Sequence, residues 1–319
     1  MDDLPQKFDF DEAEEHRLVA EDSDAGRRLD HVLGQRLPEF SRASLQRLIK
    51  MGVVWLNGAT TRPASRLKPG DEIRVSVPRI QPHTVEPEDI PLNVLMEEPD
   101  FAVLDKPTGI AVHPGRGRPG GTLANAIAHR FPDASTKSGV HRPGIVHRLD
   151  MATSGVMVIA KTEAAHTALG EAFRARTVKK EYRAIVYGEP AHDEDRIDLP
   201  LGRDLAHQER MAVRHDGGRD SLTDFSVVER FGKAAHLAAF PKTGRTHQIR
   251  VHLLARGHPI LGDSIYARGR ALPLGLDVPR LMLHAYRLTF PHPQSGELVE
   301  VEAPLPDDMQ AVLAALRAD

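Results

Sequence analysis

Four prolines, Pro78, Pro82, Pro87 and Pro91, punctuate the chain between residues 78 and 91. Each lacks a backbone N–H and fixes φ near −65°, so few donors there can join a sheet and no helix can run through. The chain is therefore expected to fold as two bodies joined by a connector, with the boundary near residue 80. Its 319 residues suffice for a small module followed by a domain of ordinary enzyme size.

Charge separates the same two parts. Residues 1–24 hold ten acidic side chains against Lys7 and Arg17, a net −8, with few large apolar residues. Such a segment buries too little to offset its chain entropy, so residues 1–25 are expected to be an acidic, disordered tail. Residues 26–79 reverse the sign: eleven Lys or Arg stand against Asp30, Glu39, Asp71 and Glu72, a net +7 hidden in the overall −3. A basic body of this size has the footprint of a polyanion binder, although charge alone fits a solvated face on a structural domain equally well.

Inside residues 26–80, Leu29, Val32, Leu33 and Leu37 recur at helical spacing and Pro38 closes the run. Ser41 is placed to cap a second helix whose Leu45, Leu48 and Ile49 form one stripe, while Arg42, Arg47 and Lys50 lie off it. Val53 to Leu56, the hairpin signal Asn57-Gly58 and the alternating Ile73, Val75 and Val77 supply a small sheet. The pattern of residues 27–77 resembles the RNA-binding module named after the fourth protein of the small ribosomal subunit. The residues that carry the likeness are Arg28-Leu29-Asp30, Ser41-Arg42 through Ile49-Lys50, Gly52 to Gly58 and Leu67 to Asp71. That resemblance implies RNA contacts from Arg28, Arg42, Arg47 and Lys50.

Residues 81–319 alternate strands and few helices irregularly, which predicts a mixed α+β domain instead of a βαβ series. Phe101 to Leu104 and Val156 to Ile159 read as strands, and Thr162 is placed to cap a helix bearing Ala165, Leu169 and Phe173. Three stretches stand out. His147-Arg148-Leu149-Asp150-Met151-Ala152-Thr153-Ser154-Gly155 is a polar turn between apolar strands; Lys179 to Val186 reads as a strand with Tyr182 near its start; Thr243 to His252 opens a helix that Thr246 is placed to cap. Taken singly, an Arg-x-Asp turn, a strand tyrosine and a helical arginine are ordinary structural features.

Together, Gly144 to Thr162, Lys179 to Val186 and Thr243 to His252 resemble the ribosomal large-subunit pseudouridine synthases. Leu104-Asp105-Lys106-Pro107, Val112 to Gly115, Leu199-Pro200-Leu201 and Gly257 to Asp263 extend the likeness to residues 27–305. It implies a mainly antiparallel sheet of pseudouridine synthase type over 81–319, Asp150 as catalytic carboxylate, Tyr182 against the target uracil and Arg250 paired with Asp150. Arg148 would fill the gap left by the extruded uridine. The partner implied is large-subunit ribosomal RNA or its precursor particle, bound by a cytoplasmic monomer.

The reaction breaks the uracil N1 to ribose C1′ bond and rejoins the base through C5 with no atom gained or lost, so no cofactor, nucleotide or metal is expected. A carboxylate suits an electron-poor anomeric centre, as in glycoside chemistry. Zero cysteines exclude a thiolate nucleophile and any cysteine-ligated metal. Gly115-Arg116-Gly117-Arg118-Pro119-Gly120 spells a dinucleotide motif, yet no strand enters it directly, Pro119 removes a donor and no acidic residue follows about 20 positions on. No apolar run of the roughly 18 residues a membrane span requires is present. A non-catalytic RNA-binding or ribosome-assembly protein on the same fold is the alternative.

Overall fold

The computed structural model describes residues 8–80, 85–115, 118–139, 142–207, 210–272 and 276–318. The chain divides into a smaller unit spanning Pro5–His83 and a larger one beginning at Thr84. The smaller unit runs β1 (Phe8–Val19), α1 (Leu29–Arg36), α2 (Arg42–Lys50), β2 (Val54–Leu56), β3 (Ala59–Thr60) and β4 (Glu72–Ile80). Its antiparallel sheet has the order β1-β4-β2-β3. The Ser41 hydroxyl accepts the Ser44 N–H at 3.2 Å and caps α2. Asn57 and Gly58 take φ of 50° and 79°, the primed-turn geometry that matches the twist of β2 and β3. Leu29 and Leu33 of α1 and Leu45 and Ile49 of α2 bury against Ile73 and Val75 of β4. Each such side chain contributes about 2 kcal/mol by leaving water.

Residues 8–19 correct the expectation of a disordered tail over 1–25: they form the strand β1, paired with β4. The abundance of acidic residues masks a period-two pattern, in which half-buried His16 and Leu18 and buried Ala20 alternate with exposed Glu15, Arg17 and Val19. Pairing with β1 also satisfies a ladder of β4 that would otherwise be an open edge. Residues 1–7 lie outside the described residues. The register of β1 against β4 shifts between Asp9 and Glu14, where Pro78 has no N–H to give. The strand thus passes through the first of the four prolines.

Asp30 is fully buried and fastens α1 to α2. Its carboxylate accepts Arg28 at 3.0 and 3.1 Å, Gln46 at 2.6 Å and Arg42 at 3.3 Å. Arg28 beside it, then Gln46 and Arg42, hold the carboxyl well below the usual range although burial pushes the other way. Arg28 and Arg42 therefore have a structural duty in addition to any RNA contact. Asp30→Ala is expected to lower the unfolding free energy of this unit by about 2 kcal/mol. In the parent, this contribution should be complete above about pH 4, the ordinary aspartate pKa, and fade as pH falls toward the depressed folded value. Urea unfolding followed at Trp55, the one tryptophan, reports it; an unchanged midpoint would contradict the assignment.

The larger unit continues with β5 (Asn93–Glu97), β6 (Phe101–Lys106), α3 (Leu123–Arg130), β7 (Ser154–Ala160), α4 (Glu163–Arg174) and β8 (Lys179–Tyr187). Next come β9 (Glu194–Asp198), β10 (Leu201–Arg203), β11 (Met211–Val213), β12 (Leu222–Arg230), β13 (Ala234–Pro241) and α5 (Gln248–Ala255). The strands β14 (Leu283–Pro291) and β15 (Leu298–Glu302) and the helix α6 (Asp307–Ala318) complete it. Among the described residues, nine strands form one sheet in the order β5-β6-β7-β14-β8-β13-β12-β9, with β15 on β14. Every pairing in it is antiparallel except β7 with β14. The fold is the mixed, mainly antiparallel α+β type with a helix-helix-sheet module before it.

Strand alternation divides the core. Phe101, Val103, Val156 and Val158 bury against Ala165 and Leu169 of α4, whereas Ala102, Leu104, Met157 and Ile159 bury against Leu123 and Ile127 of α3. Thr162 caps α4 by accepting the Ala165 N–H at 3.2 Å. One row of residues crosses the middle strands: Gly155 stands opposite Ala285, and Ala285 opposite Tyr182. Gly155 has φ +114°, and a Cβ there would lie 2.1 Å from the Ala285 carbonyl oxygen. Only glycine allows this approach, which fixes the end of the Asp150 loop relative to Tyr182.

Candidate active site

The loop between His147 and Thr153 carries Asp150 and is held from several sides. Its apolar anchors, Ile145 and Leu149, are buried in the core beneath α3. Lys106, fully buried at the end of β6, donates to the carbonyls of Pro107, Ile110 and Met151 at 2.8, 3.1 and 3.3 Å. Burial pushes its pKa down to about 8, against the opposing charge of Asp150. The Gly109 N–H also reaches the Met151 carbonyl at 2.9 Å, and the Thr108 hydroxyl reaches that of Ala152 at 3.0 Å. Met151 and Ala152 are thereby fixed through their backbones.

Arg250 projects from α5 and is buried. Its Nε and one terminal nitrogen donate to the two oxygens of Asp263 at 2.8 and 2.9 Å, and its other terminal nitrogen donates to Asp150 Oδ2 at 3.3 Å. Burial works against the guanidinium charge, but Asp263 and then Asp150 more than offset it. Asp263 is fully buried and also accepts the N–H groups of Ile265 and Tyr266, each at 3.0 Å. Asp150, with 19% of its side chain exposed, is shielded yet reachable.

His247 faces the same carboxylate. The Tyr266 hydroxyl accepts the Met211 N–H at 2.9 Å and is hydrogen-bonded to His247 Nδ1 at 2.8 Å, which fixes the ring. Its Nε2 lies 4.0 Å from Asp150 Oδ2. Burial holds the His247 pKa below its ordinary value against the pull of Asp150. His247 has φ +55° and is the N-cap residue of α5. The expected cap Thr246 has no such role; the Gln248 side chain instead accepts from Thr243 and the Arg245 N–H and donates to Leu222 and Thr223.

Asp150, Tyr182, Arg250 and Arg148 all line one cavity of about 460 Å³. Arg148 is exposed at its rim. Tyr182 bridges two core clusters, and burial, followed by the charge of Asp150, pushes its phenol pKa up. The hydroxyl therefore stays protonated at neutral pH and is a poor base; the ring is a flat apolar wall. Arg28, Arg42, Arg47 and Lys50 belong to the smaller unit, the last three exposed on α2. Among the described residues no group of three or more His, Asp or Glu side chains is arranged to hold a metal ion. No helix among them is long and apolar enough to cross a membrane.

The sequence pattern of the RNA pseudouridylate synthases matches residues 100–255, and that of the S4 domain matches residues 27–73. The chain is 44% identical to ribosomal large subunit pseudouridine synthase D of Xanthomonas campestris pv. campestris, over 95% of this chain and 93% of that protein. The chain belongs to the RNA pseudouridine synthase family. A synthase D from Nitrosomonas europaea is 42% identical over 94% of this chain and 87% of its own length. The solved structure of human RNA pseudouridylate synthase domain containing 4 is 26% identical, with a TM-score of 0.57 over 70% of this chain and 93% of that one. The protein is accordingly an RNA pseudouridine synthase, an isomerase, and these relatives do not favour a non-catalytic RNA-binding protein.

Within this synthase the single-residue reading missed His247, Asp263 and Lys106, which lie inside stretches singled out by resemblance, and Tyr266, three residues beyond one of them. Their signal lay in position: a histidine just before the helix of Arg250, an aspartate after a glycine turn with a tyrosine three residues on, and a lysine ending an apolar strand. Asp263→Ala should leave Arg250 buried with half its partners removed and cost about 3 kcal/mol of stability. Thermal unfolding should show a lower midpoint; an unchanged one would mean that Asp263 does not hold Arg250.

Proposed function

We propose that this synthase isomerises specific uridines of large-subunit (23S) ribosomal RNA, with Asp150 as the carboxylate that acts at the ribose. The observation that supports it best is the pairing of Asp150 with Arg250 at 3.3 Å inside a cavity walled by Tyr182. Among the described residues lining that cavity, Asp150 is the one acid. The target uridine leaves its stack and enters the cavity, with Tyr182 against the base and Arg148 at the rim to take its place in the RNA. Asp150 then assists cleavage of the N1 to C1′ bond, and the base turns before C5 bonds to C1′; the C5 proton is then lost and N1, freed of the sugar, takes one up, so the atoms balance. Arg250 holds that carboxylate in place by its hydrogen bond to Asp150 Oδ2.

The smaller unit supplies docking. Its net +7 over residues 26–79 and the exposed Arg42, Arg47 and Lys50 on α2 suit phosphate contacts, with Arg28 beside them. The names of the relatives support large-subunit rRNA as the partner; that it is met in a precursor particle, and by a cytoplasmic monomer, is part of the proposal.

The test is incubation of the protein with unmodified large-subunit rRNA, followed by direct mapping of pseudouridine. Discrete sites should appear with the parent protein. Asp150→Asn should bind the RNA with parental affinity and lose at least ~10²-fold in single-turnover rate, since shape is kept and the charge is not. Turnover near the parent rate would remove Asp150 from its role, and absence of product from the parent would overturn the rRNA assignment.

A further inference from the structure

Arg176 lies just past the C-terminus of α4 with φ +60°, in the left-handed region. A Cβ strains that conformation, and glycine commonly fills this place at a helix end. Glycine would meet the backbone requirement at less strain, so what arginine adds is its side chain. Arg174, the last residue of α4, and Arg176 are both exposed and line the Asp150 cavity together with Arg148. Among the described residues, none of these three guanidinium groups has a protein hydrogen-bond or ion-pair partner.

The end of α4 is fixed to the catalytic loop. Phe173, next to Arg174, stacks on His147 with centroids 4.5 Å apart, and His147 Nε2 accepts the Val158 N–H at 3.1 Å. Deeper in the cavity, Lys180 donates to the Thr243 carbonyl at 3.1 Å. Burial, then the nearby charges of Arg176 and Lys242, pushes its pKa down to about 8. Lys242 is itself met by Asp224 at 3.4 Å. Arg148, Arg174 and Arg176 share the described lining with no carboxylate beyond Asp150. Such a surplus attracts a polyanion, and a guanidinium fork fits the two free oxygens of a phosphodiester.

We propose that Arg174 and Arg176 form a phosphate-binding site of the catalytic unit itself, holding the RNA strand by the phosphodiesters beside the extruded uridine. The inference rests on the reading of the Asp150 cavity as a uridine pocket. It assigns RNA affinity to the end of α4, where the sequence pointed only to Arg148 and the N-terminal module.

Full-length parent protein and the Arg174→Ala/Arg176→Gly double variant would be titrated with an unmodified rRNA hairpin across a range of salt. Loss of two contacts should weaken binding about tenfold at 0.1 M salt and reduce the log–log salt slope by ~1.4, at ~0.7 per contact on a single strand. Methylphosphonates at the phosphates flanking the target should weaken the parent and leave the variant's affinity where it is. Glycine is the favoured residue at position 176, so Arg176→Gly alone should not lower the thermal midpoint. A double variant with parental affinity and slope would overturn the proposal, provided the parent converts the hairpin. A parent that makes no pseudouridine in any rRNA would overturn the pocket reading and this inference with it.

Discussion

Asp263 grips Arg250 through two parallel hydrogen bonds inside the protein, and the geometry around Asp150 depends on that pair. A buried guanidinium needs a full complement of acceptors, and Asp263 supplies two of them while leaving one terminal nitrogen for Asp150. The same turn presents Tyr266, whose hydroxyl is hydrogen-bonded to the His247 ring. Both side chains that face Asp150 are thus anchored to residues 263–266. The carboxylate has a fixed cation and a fixed imidazole beside it.

The backbone scaffold serves the same end. Lys106 spends its ammonium on three carbonyls of the loops around Asp150. Gly155 lets β7 approach β14 so closely that Asp150 and Tyr182 reach one cavity from opposite sides of a shared row. Beneath these polar contacts the helices α3 and α4 cover opposite faces of the sheet, so the loop rests on packed side chains instead of solvent.

Much of this was legible in the sequence because it obeys local rules. Ser41 and Thr162 cap helices where a hydroxyl precedes an apolar stripe, and Asn57-Gly58 turns a hairpin. The three site stretches were recognisable by resemblance, and the cavity unites Asp150, Tyr182 and Arg250 from them. The failures are non-local. β1 looked like a tail because its acidic residues outweigh its apolar alternation, and its reason to be ordered is the edge of β4, far along the chain. The Arg250 to Asp263 grip and the Tyr266 to His247 link depend on how a distant turn folds over α5. Thr246 failed as a cap because Gln248 closes the loop with its own amide.

The central claim is that Arg250, gripped by Asp263, holds the Asp150 carboxylate in place for the reaction. It is tested most directly by single-turnover pseudouridine formation in Arg250→Met beside the parent. Removing the guanidinium takes away the hydrogen bond that positions the carboxylate, so the rate should fall by ~10² or more while RNA binding is kept. A rate unchanged from the parent, in a variant shown to be folded, would contradict the account.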